Sequence, residues 1–285
     1  MVVDNSGAGR APASPGVRLI RNRGNVGYGV AANQAWLSSN SAYCAVINDD
    51  AIAHDDWLAA LVAALAANPR VGMAASQVRL AGTEQIDSAG MVIARDGSSK
   101  QRAHRETVSP EGGEVLLPSG SAAIFRREVI DQTGGFDPDF FLYCEDTDLG
   151  LRVRQMGWTC LYVPEAVVEH RYSASAGAAS ARKAYLVERN RLRLVVRNFP
   201  ATWLWQAPFY AAARYWYQFL AMRRGEGKAG AYAASGQSIW KLGWFVMKAH
   251  LALLRDLPRL LRERSPLPPA LLERWCVSVR EVATH

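Results

Sequence analysis

The chain has 285 residues, 49% of them hydrophobic and 21% charged, which suits a packed globular protein and excludes a disordered or collagen-like one. Its four cysteines, Cys44, Cys144, Cys160 and Cys276, are scattered without CxxC spacing, which argues against a zinc site or disulfide framework and for a reducing, cytoplasmic setting. The net charge of +7 lies in the last third: residues 201–285 hold twelve Lys/Arg against five Asp/Glu, leaving 21 of each sign in residues 1–200. Such a tail suits nucleic acid or anionic lipid.

In chain order, MVVDNSGAG begins within a strand that ends at Asp4. Asp4 and Asn5 either meet the edge of a nucleotide base or close an Asx-turn. An α/β domain ordinarily has a strand and a helix ahead of such an element, so the expectation is that roughly 30–40 residues of a βαβ start are lacking. VRLIRN (17–22) reads as a strand and GVAANQAWLSS (29–39) as a helix. Between them, Gly24, Gly27 and Gly29 form either a tight turn or a loop that approaches a phosphate, without GxGxxG spacing.

YCAVIN (43–48) reads as a buried strand running into Asn48, Asp49 and Asp50. Adjacent acids at a strand's C-terminal edge repel one another unless a cation or partner is present, and oxygen donors suit Mg²⁺ or Mn²⁺. The competing reading is a polar turn. Asp55 or Asp56 then caps the helix WLAALVAALAANP, and VGMAASQVRL starts another strand. This rhythm predicts a mostly parallel α/β sheet with helices on both faces. Residues 81–117 read as an irregular excursion. GSAAIFRREVI then gives a strand, GGFDPDFF a loop, EDTDLGLRVRQMGW a helix and TCLYVPEAVVEH a strand ending at His170.

In FLYCEDTDLGLR (141–152), Asp146 reads as an N-cap and Asp148 as a complement to the helix dipole. Capping leaves Glu145 unexplained, and a carboxylate held at a helix N-terminus can act as a general base. His170 is a structural histidine or a metal ligand. Beyond residue 200 the segment ATWLWQAPFYAAARYWYQFLA has the length of a membrane span but contains Pro208 and Arg214 and is crowded with Trp and Tyr, which suits an interface. Lys241, Lys248, Arg255, Arg259 and Arg262 are predicted to share a helix face, with Trp240 and Trp244 nearby, as in a helix lying on a membrane; the competing reading is a helical pair packed on the domain with a solvated basic face.

Taken together, DNS (4–6), NVGYGVAAN (25–33), NDD (48–50), GSAAIFRR (120–127), GGFDPDFFLYCEDTDLGLRVRQMGW (134–158) and EH (169–170) resemble the family 2 glycosyltransferases of GT-A fold. Within that family the chain is most similar to the rhamnosyltransferase-like branch, to which RNRLRLVVRNFP (189–200) also points. The resemblance covers roughly residues 1–200 and implies a GT-A domain there, with residues 201–285 a basic, aromatic-rich helical region. It implies inverting transfer from a nucleotide-diphosphate sugar, dTDP-rhamnose being one candidate, to a lipid-linked or polysaccharide hydroxyl.

By the same resemblance, Asp146 is the base, and Asp50, Asn48 and His170 hold Mg²⁺ or Mn²⁺. Asp4, Asn25, Gly27, Asn33 and Asp49 bind the nucleotide sugar, and Glu145 and Gly120 shape the acceptor site. Asn48 departs from the first Asp that many members carry, and the QxxRW motif of processive synthases is absent, so addition of one sugar is expected. The expected location is the inner face of the plasma membrane, held by the C-terminal helices, with no nucleic-acid partner. The rival expectation is a non-catalytic nucleotide-sugar-binding remnant.

Overall fold

The computed structural model describes residues 1–171, 181–225 and 239–284. Strands β1 (Val2–Asp4) and β2 (Leu19–Arg21) form a parallel pair, followed by helix α1 (Tyr28–Leu37). The central sheet contains β3 (Tyr43–Ile47), β4 (Ala51–Ala53), β5 (Val71–Leu80), β10 (Ala122–Arg126) and β11 (Thr159–His170), in the order β3-β10-β5-β11-β4. β5 and β11 pair in parallel, while β10 runs antiparallel to both β3 and β5. The strands β3, β5 and β11 therefore share one direction, and β10 is a reversed strand between two of them. β10 is reached through the 81–121 excursion, not through a helical crossover, so no crossover rule fixes its direction.

That excursion is more regular than its sequence suggests. It forms the short strands β6 (Ile86–Ser88), β7 (Met91–Ala94), β8 (Ser99–Gln101) and β9 (Gly113–Val115). β6 and β9 extend the central sheet, and β7–β8 is a hairpin later joined by β12 (Cys276–Val277). Strands this short carry too little alternation for a period to be read.

Alternation along the long strands builds two cores. Met73 and Ala75 of β5, Ala123 and Phe125 of β10, and Cys160 and Tyr162 of β11 point to one face. Ala74 and Val78, Ala122 and Ile124, and Val163 and Val168 point to the other. The second face is covered by α2 (Trp57–Ala67), whose Trp57, Leu61 and Leu65 recur every four residues. Asp56 is its N-cap by position but makes no side-chain capping bond. The first face is covered by α1, α3 (Arg127–Thr133), α4 (Glu145–Gln155), α5 (Ala181–Asn198) and the start of α6 (Ala201–Arg223). Helices thus lie on both faces. Pro164 is accommodated inside β11 because the register with β5 slips between Val163 and Val167.

The C-terminal region is woven into this core. Trp203 and Ala207 of α6, Leu267, and Leu272 of α8 (Pro269–Arg274) belong to the first cluster. α7 (Ile239–Arg262) packs along α5, and α9 (Val279–Thr284) along α6. No described helix is long and apolar enough to cross a membrane. The predicted basic face of α7 is divided. Arg259 turns inward to Asp137, Asp139 and Glu263, while Arg255 and Arg262 stay exposed. Lys241 and Lys248 are exposed too, although Lys248 reaches over the Tyr185 ring. The side chains of Ile239, Trp240 and Leu242 lie outside the described ones.

Candidate active site

The start of α4 and the NDD turn both attach to the backbone just ahead of β10. Asp146 Oδ2 accepts the Gly120 amide at 2.9 Å, and Oδ1 accepts the Thr147 amide at 2.6 Å. One residue on, the Ser121 carbonyl accepts the Asn48 amide at 3.0 Å. The dipeptide Gly120–Ser121 therefore ties the helix bearing Asp146 to the NDD turn. Gly120 permits this approach: a Cβ there would sit 3.2 Å from both Cβ and Oδ2 of Asp146. Its carbonyl accepts the Tyr28 hydroxyl at 2.6 Å, which brings α1 to the same corner.

α4 starts two residues earlier than the capping reading requires. Its N-cap is Cys144, in left-handed conformation with φ 63°, and Asp146 lies inside the first turn. A non-glycine residue in that conformation gives no propensity signal, so the sequence assigns the cap to the better capping residue instead. Asp148 is fully buried and salt-bridged to Arg152 at 2.7 Å and Arg197 at 3.2 Å, so it anchors α4 to α5.

Burial raises the pKa of Asp146, against hydrogen bonds from Gly120 and Thr147 that favour its charged form. Glu145, 7% exposed, is pushed up to about 8, by burial first and then by the charge of Asp146. Its Oε2 has no hydrogen-bond partner. Burial and a neighbouring ionisable group are two means by which a fold raises an acid toward neutrality.

The NDD turn is held by antiparallel pairing of β4 with the end of β11, which sets His170 opposite Ala51. Asp50 Oδ1 lies 3.1 Å from His170 Nε2, and both side chains are largely buried. Asp49 points to solvent, and Asn48 is half-buried. Behind His170 stands a residue the sequence reading missed: buried Asp87 meets His170 Nδ1 at 2.8 Å and His104 Nδ1 at 3.2 Å. Burial disfavours the charged imidazole, but hydrogen bonds and charge from Asp87 and Asp50 move the His170 pKa upward. Asp87 itself, despite burial, is lowered by its two histidine partners.

A carboxylate and an imidazole, the latter oriented from behind by a second carboxylate, fit the protein's share of a Mg²⁺ or Mn²⁺ site. Among the described residues no group of three or more His, Cys, Asp or Glu is arranged to hold a metal. Such an ion takes its further ligands from substrate phosphates and water.

The predicted nucleotide-sugar residues serve the loops that frame this corner. Asp4 is held at about 2 by the Ser6 hydroxyl and then by the Ala11 and Ser6 amides, so its carboxylate closes its own turn. Asn5 accepts the Val26 amide and donates to Asn25 and to the Gly27 carbonyl, so it ties the first strand to the glycine loop. Asn25 accepts the Gly27 amide at 2.9 Å. Gly27 has φ 93°, and a Cβ there would meet the Phe141 carbonyl oxygen at 2.5 Å. Asn33 spends both ends of its amide on the Phe136 backbone, so it positions the GGFD loop; the structure does not bring it to the acid pair.

The profile of the family described as "Glycosyltransferase like family 2" matches residues 6–195. A Mycobacterium tuberculosis H37Rv protein, "N-acetylglucosaminyl-diphospho-decaprenol L-rhamnosyltransferase", is 29% identical over 210 residues, covering 62% of this chain and 67% of its own length. A rice protein, "Probable glucomannan 4-beta-mannosyltransferase 6", is 27% identical over 153 residues, which is 52% of this chain and 24% of that one. Among solved structures, GalNAc-T7 with UDP, GalNAc and Mn²⁺ aligns with a TM-score of 0.51 at 17% identity, over 88% of this chain and 47% of that one. The fold is accordingly that of the GT-A glycosyltransferases, and the chain belongs to glycosyltransferase family 2, with a rhamnosyltransferase among its relatives.

Proposed function

We propose that the protein transfers a sugar from a nucleotide-diphosphate donor, dTDP-rhamnose being the first to test, to a hydroxyl of a lipid-linked or polysaccharide acceptor, with inversion at the anomeric carbon. The observation that carries this reading is Asp146, raised by burial, oriented by the Gly120 amide and set beside the NDD turn. In its ionised form Asp146 takes the acceptor hydroxyl proton as the oxygen attacks the anomeric carbon, and the bond to the diphosphate breaks on the opposite side. Glu145, buried behind it, keeps the corner desolvated and shapes the acceptor site with Gly120.

Asp50 and His170, with Asn48, are the residues that would hold Mg²⁺ or Mn²⁺. Such an ion, when bound, compensates the charge of the departing diphosphate. Asn25 and Gly27, with Asp4, shape the donor entrance, and exposed Asp49 lies at its rim. Residues 1–200 form the transferase domain. The C-terminal region 201–285 rests on the inner face of the plasma membrane, near a lipid-linked acceptor. The decaprenol-linked acceptor in the mycobacterial relative's name supports that choice.

The test is release of nucleoside diphosphate from a panel of nucleotide sugars with Mn²⁺ and a polyprenyl-diphosphate-linked sugar. Asp146→Asn is expected to lower kcat by about 10²–10⁴-fold with little change in donor KM. The acid limb of the wild-type pH–rate profile is expected above the ordinary carboxylate range, because burial raises the base. Equal rates for wild type and Asp146→Asn would refute the assignment.

A further inference from the structure

Asp146 follows a loop whose backbone departs from what its residues prefer. Phe141, Tyr143 and Cys144 have φ of 64°, 70° and 63°, a region that non-glycine residues rarely occupy. At Phe141 the chain makes a γ-turn of the positive-φ type, with the Leu142 amide donating to the Phe140 carbonyl at 2.8 Å. Strain of this kind persists only where the surroundings over-determine it.

Here the surroundings are specific. Asn190 of α5 is fully buried, and its Nδ2 donates to three carbonyls of this loop: Phe140 at 2.9 Å, Leu142 at 2.9 Å and Tyr143 at 2.7 Å. Converging carbonyl dipoles repel unless a donor stands between them, and a buried acceptor left unpaired is costly. Arg189 adds bonds to the Asp139 and Phe140 carbonyls, and its Nε donates to Asn190 Oδ1, fixing the amide's orientation. On the opposite side the Tyr28 amide donates to the Phe141 carbonyl at 2.9 Å. The loop is therefore held between the first turn of α1 and the Asn190 side chain, and it ends two residues before Asp146.

We propose that Asn190 is a positioning residue of the transfer reaction: by gathering the Phe140, Leu142 and Tyr143 carbonyls it holds the left-handed entry into α4 and so sets Asp146 against Gly120. The proposal rests on Asp146 being the base, and its test therefore has two arms. One arm is hydrogen exchange of the amides in residues 141–147, which needs no substrate. The other is kcat and donor KM with the full-length protein.

Asn190→Ala is expected to speed exchange in 141–147 by about tenfold or more while amides of α2 and β5 keep wild-type rates. It is expected to lower kcat by roughly 10²-fold with donor KM within about threefold, the signature of a displaced catalytic group. Adding Cys144→Gly is expected to recover kcat by about tenfold, because glycine adopts the left-handed conformation without steric cost. A residue that only stabilised the fold would not be rescued in this way. Asn190→Ser, which keeps one donor, serves the same two readings should the alanine variant fail to fold.

Unchanged exchange in 141–147, exchange that rises equally throughout the protein, unchanged kcat, or no rescue by Cys144→Gly would each overturn the proposal. If wild type transfers no sugar, the reading of Asp146 as base falls. The exchange arm then decides alone whether Asn190 holds the loop.

Discussion

Glu145 and Asp146 are consecutive acids in one buried corner, and burial raises both. The consequence for stability has a definite sign. Burial, and then the charge of Asp146, push Glu145 from the ordinary 4.5 of the unfolded chain up to about 8 in the fold, so the folded state keeps a proton that the unfolded state releases. Stability is therefore greatest below the unfolded value and falls as pH rises toward about 8. Glu145→Gln keeps the shape and removes the charge. It is expected to flatten this slope and to be more stable than wild type at pH 8 by roughly 1–3 kcal/mol, with little difference at pH 5, read by thermal melting at the two pH values. A slope as steep as that of wild type would mean that Glu145 is not the group responsible. At this scale Asp50 and His170 stand out in the sequence because they follow or end strands, whereas Asp146 is singled out as a base only by the family resemblance, since capping accounts for it equally well. The roles of Asp87 and Asn190 were illegible: His170 lies 83 residues from Asp87 and the Phe140 carbonyl 50 from Asn190, and an isolated Asp in a three-residue strand or Asn in a helix carries no local signal.

Arg214 shows how an element can be read correctly for one property and missed for another. In sequence it interrupts an apolar stretch and argues against a membrane span. In the structure it is buried on the inward face of α6, pairing with Asp96 at 2.6 Å and Glu188 at 2.9 Å, and Glu188 also takes the Tyr215 hydroxyl. Arg191 of α5 joins the same cluster, which pins the turn after β7 to α5 and α6. Removing one member leaves uncompensated buried charge, so Arg214→Ala is expected to cost about 3–5 kcal/mol, measured by denaturant unfolding. A loss below about 1 kcal/mol would show that water reaches Asp96 and Glu188 and that the cluster is not buried in solution. Helices α1, α2, α4 and α7 and strands β5 and β11 were legible because their patterns run over ten or more residues, whereas α5 carried only a family resemblance. The direction of β10, read as a strand, and the strands of the excursion were not, since direction and pairing of short strands are decided by distant partners.

At the scale of the molecule, the inward pull of Arg214, Trp203 and Ala207 fixes which side of α6 faces out. Trp205, Phe209, Trp216 and Phe219 are spaced by 4, 7 and 3 residues, so they form one stripe, and Trp205, Phe209 and Trp216 are 63%, 67% and 58% exposed. α7 exposes Trp244, Met247, Leu251 and Leu254 among Lys241, Lys248, Arg255 and Arg262. Large apolar side chains exposed in a row, in the region that carries the basic excess, fit an anionic lipid surface better than water. Each large side chain moved from water into the interface contributes up to about 1.5–3 kcal/mol. Trp205→Ser, Phe209→Ser and Trp216→Ser combined are therefore expected to weaken binding to vesicles containing anionic phospholipid by at least ~10²-fold in co-sedimentation. The melting temperature is expected to stay unchanged, because these side chains are already exposed. Raising salt from 0.1 M toward 1 M shortens the screening length from about 10 Å to about 3 Å, so it is expected to weaken both proteins' binding by a similar factor, since both keep the basic residues. Retention of the triple variant on vesicles at low salt with wild-type affinity would remove the stripe from the interface and leave charge alone to hold the protein there.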